Sequence, residues 1–232
     1  MSILAGATAG VAGFGIGSLL TPLIALQLGG VRAIAAVVIP HAAATALRAW
    51  RLRRSIDWTV LRRFGLLSAA GGLGGALLFA RLGGDVLMRI LGALLIVTAI
   101  STLSGAGGTR RAPRAVVPVL GFASGFFGGV VGNQGGLRAA ALLALGLEPA
   151  VFVATSTMTG LLVDAVRAPV YLWRAGDVLA ELWPLVGVAT AGTIIGTLLG
   201  ERMLFGLSPE RFRQVIAGLI GLVGVWLLVV GA

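Results

Sequence analysis

The chain has 232 residues, of which 58% are hydrophobic and only 11% are charged. Soluble globular domains carry about a quarter charged residues, so this composition excludes an ordinary soluble fold. Apolar runs of about 20 residues, the length that spans a bilayer as a helix, recur from one end to the other. We therefore predict an all-α fold, a polytopic transmembrane helical bundle.

The formal net charge is +10, and all 18 basic residues are arginines. They stand mostly at the ends of apolar runs, which is typical of the positive-inside rule and of contact with anionic lipids. A nucleic-acid-binding protein would need these charges on one soluble face, so we predict no nucleic-acid partner. The chain has no cysteine, which excludes disulfides, thiolate metal sites and a cysteine nucleophile.

Eight apolar segments follow one another along the chain. We predict them at about 3–28, 34–50, 64–82, 86–103, 116–146, 150–173, 182–200 and 212–230. The longest polar stretch, rich in glycine and arginine, separates the first four from the last four. The predicted organisation is a first transmembrane repeat over 1–103, a cytoplasmic linker over 104–115 and a second transmembrane repeat over 116–232.

The second half of the chain resembles the first half. Segments 1 and 5 are both interrupted by glycines. Trp50 and Trp58 flank one loop, and Trp173 and Trp183 flank its counterpart, as interfacial anchors would. Two related four-segment halves are typical of secondary transporters, whose solute site lies where the halves meet. The alternative is chance similarity between helices rich in glycine, leucine and alanine.

The fifth segment is too long and too polar for a plain membrane helix. From Val116 to Gly146 it has 31 residues, about 46 Å as one helix against a hydrocarbon core of about 30 Å. We predict that it breaks at its glycines and lines a solute site, since irregular backbone at membrane depth is tolerated only there. Segments 1 and 5 either cross fully, giving parallel halves, or turn back as re-entrant hairpins, giving inverted halves. Arginine counts favour the inverted arrangement slightly.

Five stretches carry a further signal in their order and spacing. They are GFGIGSLLTP at Gly13–Pro22, the arginine-rich loop ending in IDW at Ile56–Trp58, GFASGFFGGVVGNQGGLR at Gly121–Arg138, FVATST at Phe152–Thr157 and VDAVRAPVY at Val163–Tyr171. Together these stretches resemble the sulfite exporter TauE/SafE family of membrane permeases, over nearly the whole chain apart from the linker. The Gly-Asn-Gln-Gly-Gly form in the fifth segment looks like one branch of that family.

The resemblance implies a multi-pass carrier of the bacterial inner membrane that works by alternating access. It also implies a small anionic substrate, sulfur-containing or organic, such as sulfite, a sulfonate or sulfoacetate. The Thr-Asn-Lys pattern that common members carry in segment 2 is replaced here by Ile34-Ala35-Ala36, so the exact substrate does not transfer. The direction of transport, the coupling ion and the oligomeric state stay open, and a homodimer is one of the options.

The fifth segment and its counterpart supply most of the predicted substrate-binding residues. Arg138 follows the glycine break, where a charge is costly unless it faces a cavity or partner, and its fork suits two oxygens of a sulfite or sulfonate. Asn133 and Gln134 sit at the break, where amides and free backbone N–H groups can bind an anion. Ser18 and Thr21 take the equivalent place in segment 1. The alternatives are an arginine that reaches the interface or pairs with an acid, and amides that satisfy the broken backbone.

Charged residues of segments 2 and 6 are candidates for coupling or gating. Asp164 and Arg167 are spaced i, i+3 and share a helix face, which predicts an ion pair. The pair would gate the site or take up a proton, or it would simply neutralise a buried arginine. His41 is the only histidine, and histidine titrates near neutrality, which favours proton coupling; a helix–helix hydrogen bond is the alternative.

Three further polar residues complete the candidate set. Thr155 and Ser156 are predicted either to bind the solute or to hydrogen-bond their own helix. Arg48 lies near the end of segment 2, and we expect it to extend along the helix to the cytoplasmic surface.

Three functional classes compete with a secondary transporter. An intramembrane enzyme would need a Ser/Lys or Asp/Asp pair or metal ligands, and the chain has no lysine and one histidine, so we predict no enzymatic activity, no cofactor and no metal. A scaffold would not require buried polar residues. A passive anion channel of the same fold stays open, as does a transporter of a non-sulfur organic anion.

Overall fold

The computed structural model describes residues 2–12, 16–104, 116–132, 135–143, 145–203 and 209–229. These parts of the chain are helical and contain no strand, as the composition predicts. Three helices among them are long and apolar enough to cross a membrane, at Gly30–Ser55, Gly84–Leu103 and Pro149–Glu181. Shorter apolar helices lie at Ile16–Leu28, Val117–Val131, Trp183–Leu199 and Ala217–Val229.

The helices have the following bounds in chain order. They are α1 (Ser2–Ala12), α2 (Ile16–Leu28), α3 (Gly30–Leu52), α4 (Trp58–Val60), α5 (Leu66–Phe79), α6 (Gly84–Leu103), α7 (Val117–Val131), α8 (Gly135–Leu143), α9 (Pro149–Glu181), α10 (Trp183–Met203) and α11 (Pro209–Val229). A wide π-helical turn at Leu61–Gly65 joins α4 to α5. Asp57 caps α4, because its Oδ1 accepts from the backbone N–H groups of Thr59 at 2.8 Å and Val60 at 3.0 Å.

No single helix runs through segment 5. Helix α7 ends at Gly132, whose φ of 74° lies in the left-handed region that favours glycine, and α8 begins at Gly135. With 15 and nine residues, α7 and α8 extend about 22 and 13 Å, so neither crosses a bilayer core of about 30 Å alone. In segment 1, the structure describes α1 and α2, and Gly13, Phe14 and Gly15 between them lie outside the described residues.

Glycines bring two pairs of helices into backbone contact. In the pair α5 and α7, a Cβ on Gly75 would overlap the carbonyl oxygen of Phe126, and one on Gly125 would overlap that of Ser68. In the pair α1 and α10, a Cβ on Gly196 would overlap the carbonyl oxygen of Ile3. These glycines therefore set the helix spacing, as small residues do in membrane bundles.

The remaining pairings complete a regular pattern. Helix α3 packs on α9, and α6 packs on α11. Under the predicted division into two halves, each broken first segment contacts the third segment of the other half, while second meets second and fourth meets fourth. The division into two repeats stays a prediction.

Two predictions about helix ends are tested by the structure. The predicted end of segment 6 at about Trp173 agrees with a kink at Ala175, whose φ of −137° is non-helical, and a further helical stretch continues from there to Glu181. The four tryptophans predicted as anchors, Trp50, Trp58, Trp173 and Trp183, are all exposed. An exposed tryptophan at a helix end is placed to meet the membrane–water boundary.

Candidate substrate-binding site

Among the described residues, four charged side chains lie inside the helix bundle. Arg48 on α3 is 8% exposed, Arg138 on α8 is 4% exposed, and Asp164 and Arg167 on α9 are each 1% exposed. Buried charges cost free energy in a membrane protein unless they are paired or serve a cavity. The partners of each of these charges therefore define what the site can do.

The carboxylate of Asp164 is the centre of the first cluster. Its Oδ1 accepts from Arg167 Nε at 3.0 Å and lies 2.8 Å from Arg167 Nη2. Its Oδ2 lies 2.7 Å from Nδ1 of His41, across the contact between α3 and α9. The predicted ion pair between Asp164 and Arg167 is thus confirmed. We call Asp164, Arg167 and His41 the carboxylate layer.

Arg167 also holds α9 to the end of α7. Its Nη1 donates to the carbonyl of Gly128 at 2.7 Å, and the hydroxyl of Tyr171, one turn further along α9, donates to the carbonyl of Gly129 at 2.5 Å. The Gly128 carbonyl also accepts from the backbone N–H of Gly132 at 3.0 Å, so the two donors on α9 add to the hydrogen bond that already ends α7. A Cβ at Gly132 would lie 3.3 Å from Arg167 Nη1, which leaves little room for any larger residue.

Arg138 is the centre of a second cluster that has no carboxylate. Its Nε donates to Oγ of Ser156 at 2.9 Å. Its Nη1 is buried and has no hydrogen-bond partner in the described part of the chain. The guanidinium lies against Gly160, where a Cβ would be 2.9 Å from Nη1. Of the nearby charges, Asp164 attracts Arg138, whereas Arg48 and Arg167 repel it.

Arg48 lies at the level of Arg138 in the bundle. The contacts from His41 to Asp164 and from the backbone N–H of Asp57 to the hydroxyl of Thr155, at 3.0 Å, show that α3 and α9 are antiparallel. Arg48 follows His41 by seven residues, about 10 Å, and Ser156 precedes Asp164 by eight residues, about 12 Å. Arg48 therefore sits near Ser156, the residue that Arg138 contacts. We call Arg48, Arg138 and Ser156 the guanidinium layer.

The structure corrects the expectation that Arg48 reaches the cytoplasmic surface. Its side chain is buried, and its Nη2 has no hydrogen-bond partner among the described residues. His41, Thr45 and Arg48 follow one face of α3, and the hydroxyl of Thr45 lies 3.4 Å from Nδ1 of His41. That i, i+4, i+7 spacing from an intramembrane histidine was the signal in the sequence.

The other predicted site residues have different surroundings. Ser18 and Thr21 are buried in α2. The hydroxyl oxygen of Thr21 would lie 4.0 Å from a Cβ at Gly132, so α2 reaches the break of segment 5. Thr155 accepts from the backbone of Asp57, which assigns its hydroxyl to holding the turn before α4. Asn133 and Gln134 lie outside the described residues.

The long apolar helices place the chain in the class of multi-pass membrane proteins. The profile of the TauE family, described as sulfite exporter TauE/SafE, matches residues 1–227. The chain therefore belongs to the sulfite exporter TauE/SafE family, a family of transporters. No curated protein and no solved structure gives a significant match to it.

Proposed function

We propose that this permease is a secondary transporter of a small sulfur oxyanion, such as sulfite or a sulfonate, and that Arg138 binds the substrate. The proposal rests on the burial of the Arg138 side chain and on its lack of a charged partner in the described part of the chain. This side chain is buried, makes no ion pair among the described residues, and has one N–H group without a partner. An anion between the helices would supply the missing partner.

The chemistry of the surrounding groups fits such an anion. A guanidinium fork presents parallel N–H donors to two oxygens of a sulfite or sulfonate. The hydroxyl of Ser156 accepts from Arg138, so its own O–H is free to donate to the anion. Arg138 lies in the first turns of α8, whose first N–H groups have no intrahelical partners and favour negative charge.

Two features support alternating access by the two predicted halves. Each broken first segment packs on the third segment of the other half, and the second and fourth segments pack on their counterparts. Helix α2 also reaches the break after α7.

The arginines of the turn between α3 and α5 are exposed, which suits a cytoplasmic surface against anionic lipids. They are Arg51, Arg53, Arg54, Arg62 and Arg63. We place the protein in the bacterial inner membrane, with a homodimer as one oligomeric option.

We assign proton coupling to the carboxylate layer. His41 is 12% exposed at its side chain, whereas Asp164 is fully buried, so a proton would reach the pair through His41. The groups that face His41 are Asp164, with Arg167 behind it, and Thr45 on its own helix. A proton on this pair changes the charge that acts on a bound anion.

A thermal-stability panel on detergent-purified protein tests the substrate. Sulfite, thiosulfate, sulfoacetate, sulfate and chloride are added to the wild type, Arg138→Gln and the control Arg53→Gln. Arg53 is exposed, donates to the carbonyl of Trp50 and lies 4.3 Å over the ring of the same residue, so the control removes one positive charge outside the site. A ligand that binds the folded state raises its apparent stability. We expect a sulfur oxyanion to stabilise the wild type and the control but not Arg138→Gln.

The outcomes separate the proposals. Stabilisation that persists in Arg138→Gln would move the site away from Arg138. No shift with any sulfur oxyanion would make a non-sulfur organic anion the leading substrate.

A labelling experiment on Ser156→Cys distinguishes a passive channel from a carrier, because the natural chain has no cysteine. A channel lets an impermeant thiol reagent reach Cys from either side at once, whereas alternating access makes labelling from the two sides mutually exclusive.

A further inference from the structure

We propose that the permease selects doubly charged anions, and that Arg48 is the second cationic arm of the substrate site. This inference rests on the proposed function, because it concerns the charge of the anion that Arg138 binds. It assigns to Arg48 a role that its position in the sequence does not suggest.

The first step is the distribution of charge between the two layers. In the carboxylate layer, both Nε and Nη2 of Arg167 are bonded to Asp164, and its Nη1 is bonded to a carbonyl of α7. Arg167 and Asp164 therefore neutralise each other. In the guanidinium layer, Arg48 and Arg138 form no ion pair among the described residues, and Asp164 acts on Arg138 only from the neighbouring layer. The site thus holds an excess of two positive charges, both in one layer.

The second step is the state of those two guanidinium groups. Each has one buried nitrogen without a hydrogen-bond partner in the described ranges, Nη2 in Arg48 and Nη1 in Arg138. Unpartnered buried donors are rare and costly, and ionised ones more so. The two groups are also close enough for their charges to repel each other. An anion bound between the two guanidiniums would compensate both charges and supply the missing hydrogen-bond partners.

The third step is the charge of the anion. An anion with one negative charge compensates only one of the two guanidiniums and leaves the other buried and unpaired. An anion with two negative charges compensates both. Sulfate, thiosulfate, sulfoacetate and fully deprotonated sulfite belong to this class. Methanesulfonate, hydrogen sulfite and chloride do not. The geometry therefore points to small sulfur oxyanions with two negative charges.

The test uses pairs of ligands with nearly the same size and different charge. Sulfoacetate is compared with its amide, and sulfate with methanesulfonate, by calorimetric titration of the purified protein at pH 8, where the sulfoacetate carboxylate is ionised. We expect the wild type to bind the doubly charged member at least about tenfold more tightly, since close buried charge pairs contribute at least that much to affinity.

The variants then assign the preference to Arg48. We expect Arg48→Gln to bind both members of a pair with similar affinity, and the control Arg53→Gln to keep the wild-type ratio. Arg48→Lys keeps the charge but loses the fork, so we expect it to keep the preference with weaker binding of both members. If Arg48→Gln does not fold, the ratio of the affinities for the doubly and the singly charged ligand is compared between Arg48→Lys and the wild type instead.

Failure of this inference and failure of the proposed function look different. The inference is overturned if the wild type does not prefer the doubly charged member, if Arg48→Gln keeps the preference, or if Arg48→Lys loses it. In each of these cases the anion still binds, so the transporter proposal stands. If the wild type binds none of the four ligands and is not stabilised by sulfite or thiosulfate either, the sulfur-oxyanion function itself fails.

Discussion

The guanidinium group of Arg138 packs directly against Gly160 of α9. A Cβ at Gly160 would be 2.9 Å from Nη1 and 3.3 Å from Cζ of Arg138. The absence of a side chain at this position therefore fixes where the cation of the proposed site can sit, although Gly160 itself contacts no substrate in the proposal.

The variant Gly160→Ala is expected to weaken anion binding without unfolding the protein. The added methyl group pushes the guanidinium, which is the flexible end of a long side chain, away from Ser156. We expect affinity for the stabilising anion to fall about tenfold, because a charged hydrogen bond contributes about 1.5–3 kcal/mol. The measurement is the anion-dependent shift in melting temperature. Gly187→Ala is the control, since a Cβ there meets nothing within 4 Å. Unchanged affinity in Gly160→Ala would contradict the placement of Arg138.

The variant Asp164→Asn is expected to destabilise the fold strongly. It removes the only charge that compensates Arg167 in the carboxylate layer, and truncating one partner of a buried ion pair costs about 3–5 kcal/mol. The measurement is thermal unfolding in detergent, with Asp85→Asn as the control because Asp85 is exposed at the start of α6. A melting temperature like that of the control would show that Arg167 does not depend on Asp164.

The variant His41→Gln is expected to separate substrate binding from proton coupling. Glutamine can still donate a hydrogen bond to Asp164, but its amide does not take up a proton as an imidazole can. In proteoliposomes, we expect a proton gradient to accelerate anion transport by the wild type and by Arg53→Gln, and to have no effect on His41→Gln. Acceleration that survives in His41→Gln would place the coupling group elsewhere.

Two glycine substitutions test the helix packing in both predicted halves. Gly125→Ala in α7 and Gly196→Ala in α10 each place a methyl group on a backbone carbonyl of the partner helix, on α5 and α1 respectively. We expect each substitution to lower the free energy of unfolding by about 1–3 kcal/mol, the usual cost of overpacking. We expect no such loss for the control Gly187→Ala. A large effect of one and no effect of the other would argue against equivalent halves. The measurement is again thermal unfolding.

The features that the sequence predicts well are local ones. Length and hydropathy predict helices that cross a membrane, and the ion pair between Asp164 and Arg167 follows from their spacing on one helix. The end of α7 at Gly132 agrees with a predicted break in a glycine-rich segment. Each of these depends on residues within a few turns of one another.

The features that the sequence did not predict depend on contacts between distant parts of the chain. His41 and Asp164 are 123 residues apart, so no spacing rule brings them together. The burial of Arg48 depends on the packing of α3 against α9 in the antiparallel direction.

The two carbonyls of α7 held by Arg167 and Tyr171 limit how the transporter can move. These hydrogen bonds fasten α9 to the broken end of α7, and the glycine contacts fasten α7 to α5. In the proposed alternating-access cycle, we therefore expect helices α5, α7 and α9 to move together. We expect the guanidinium layer to open along the contact between α9 and α3.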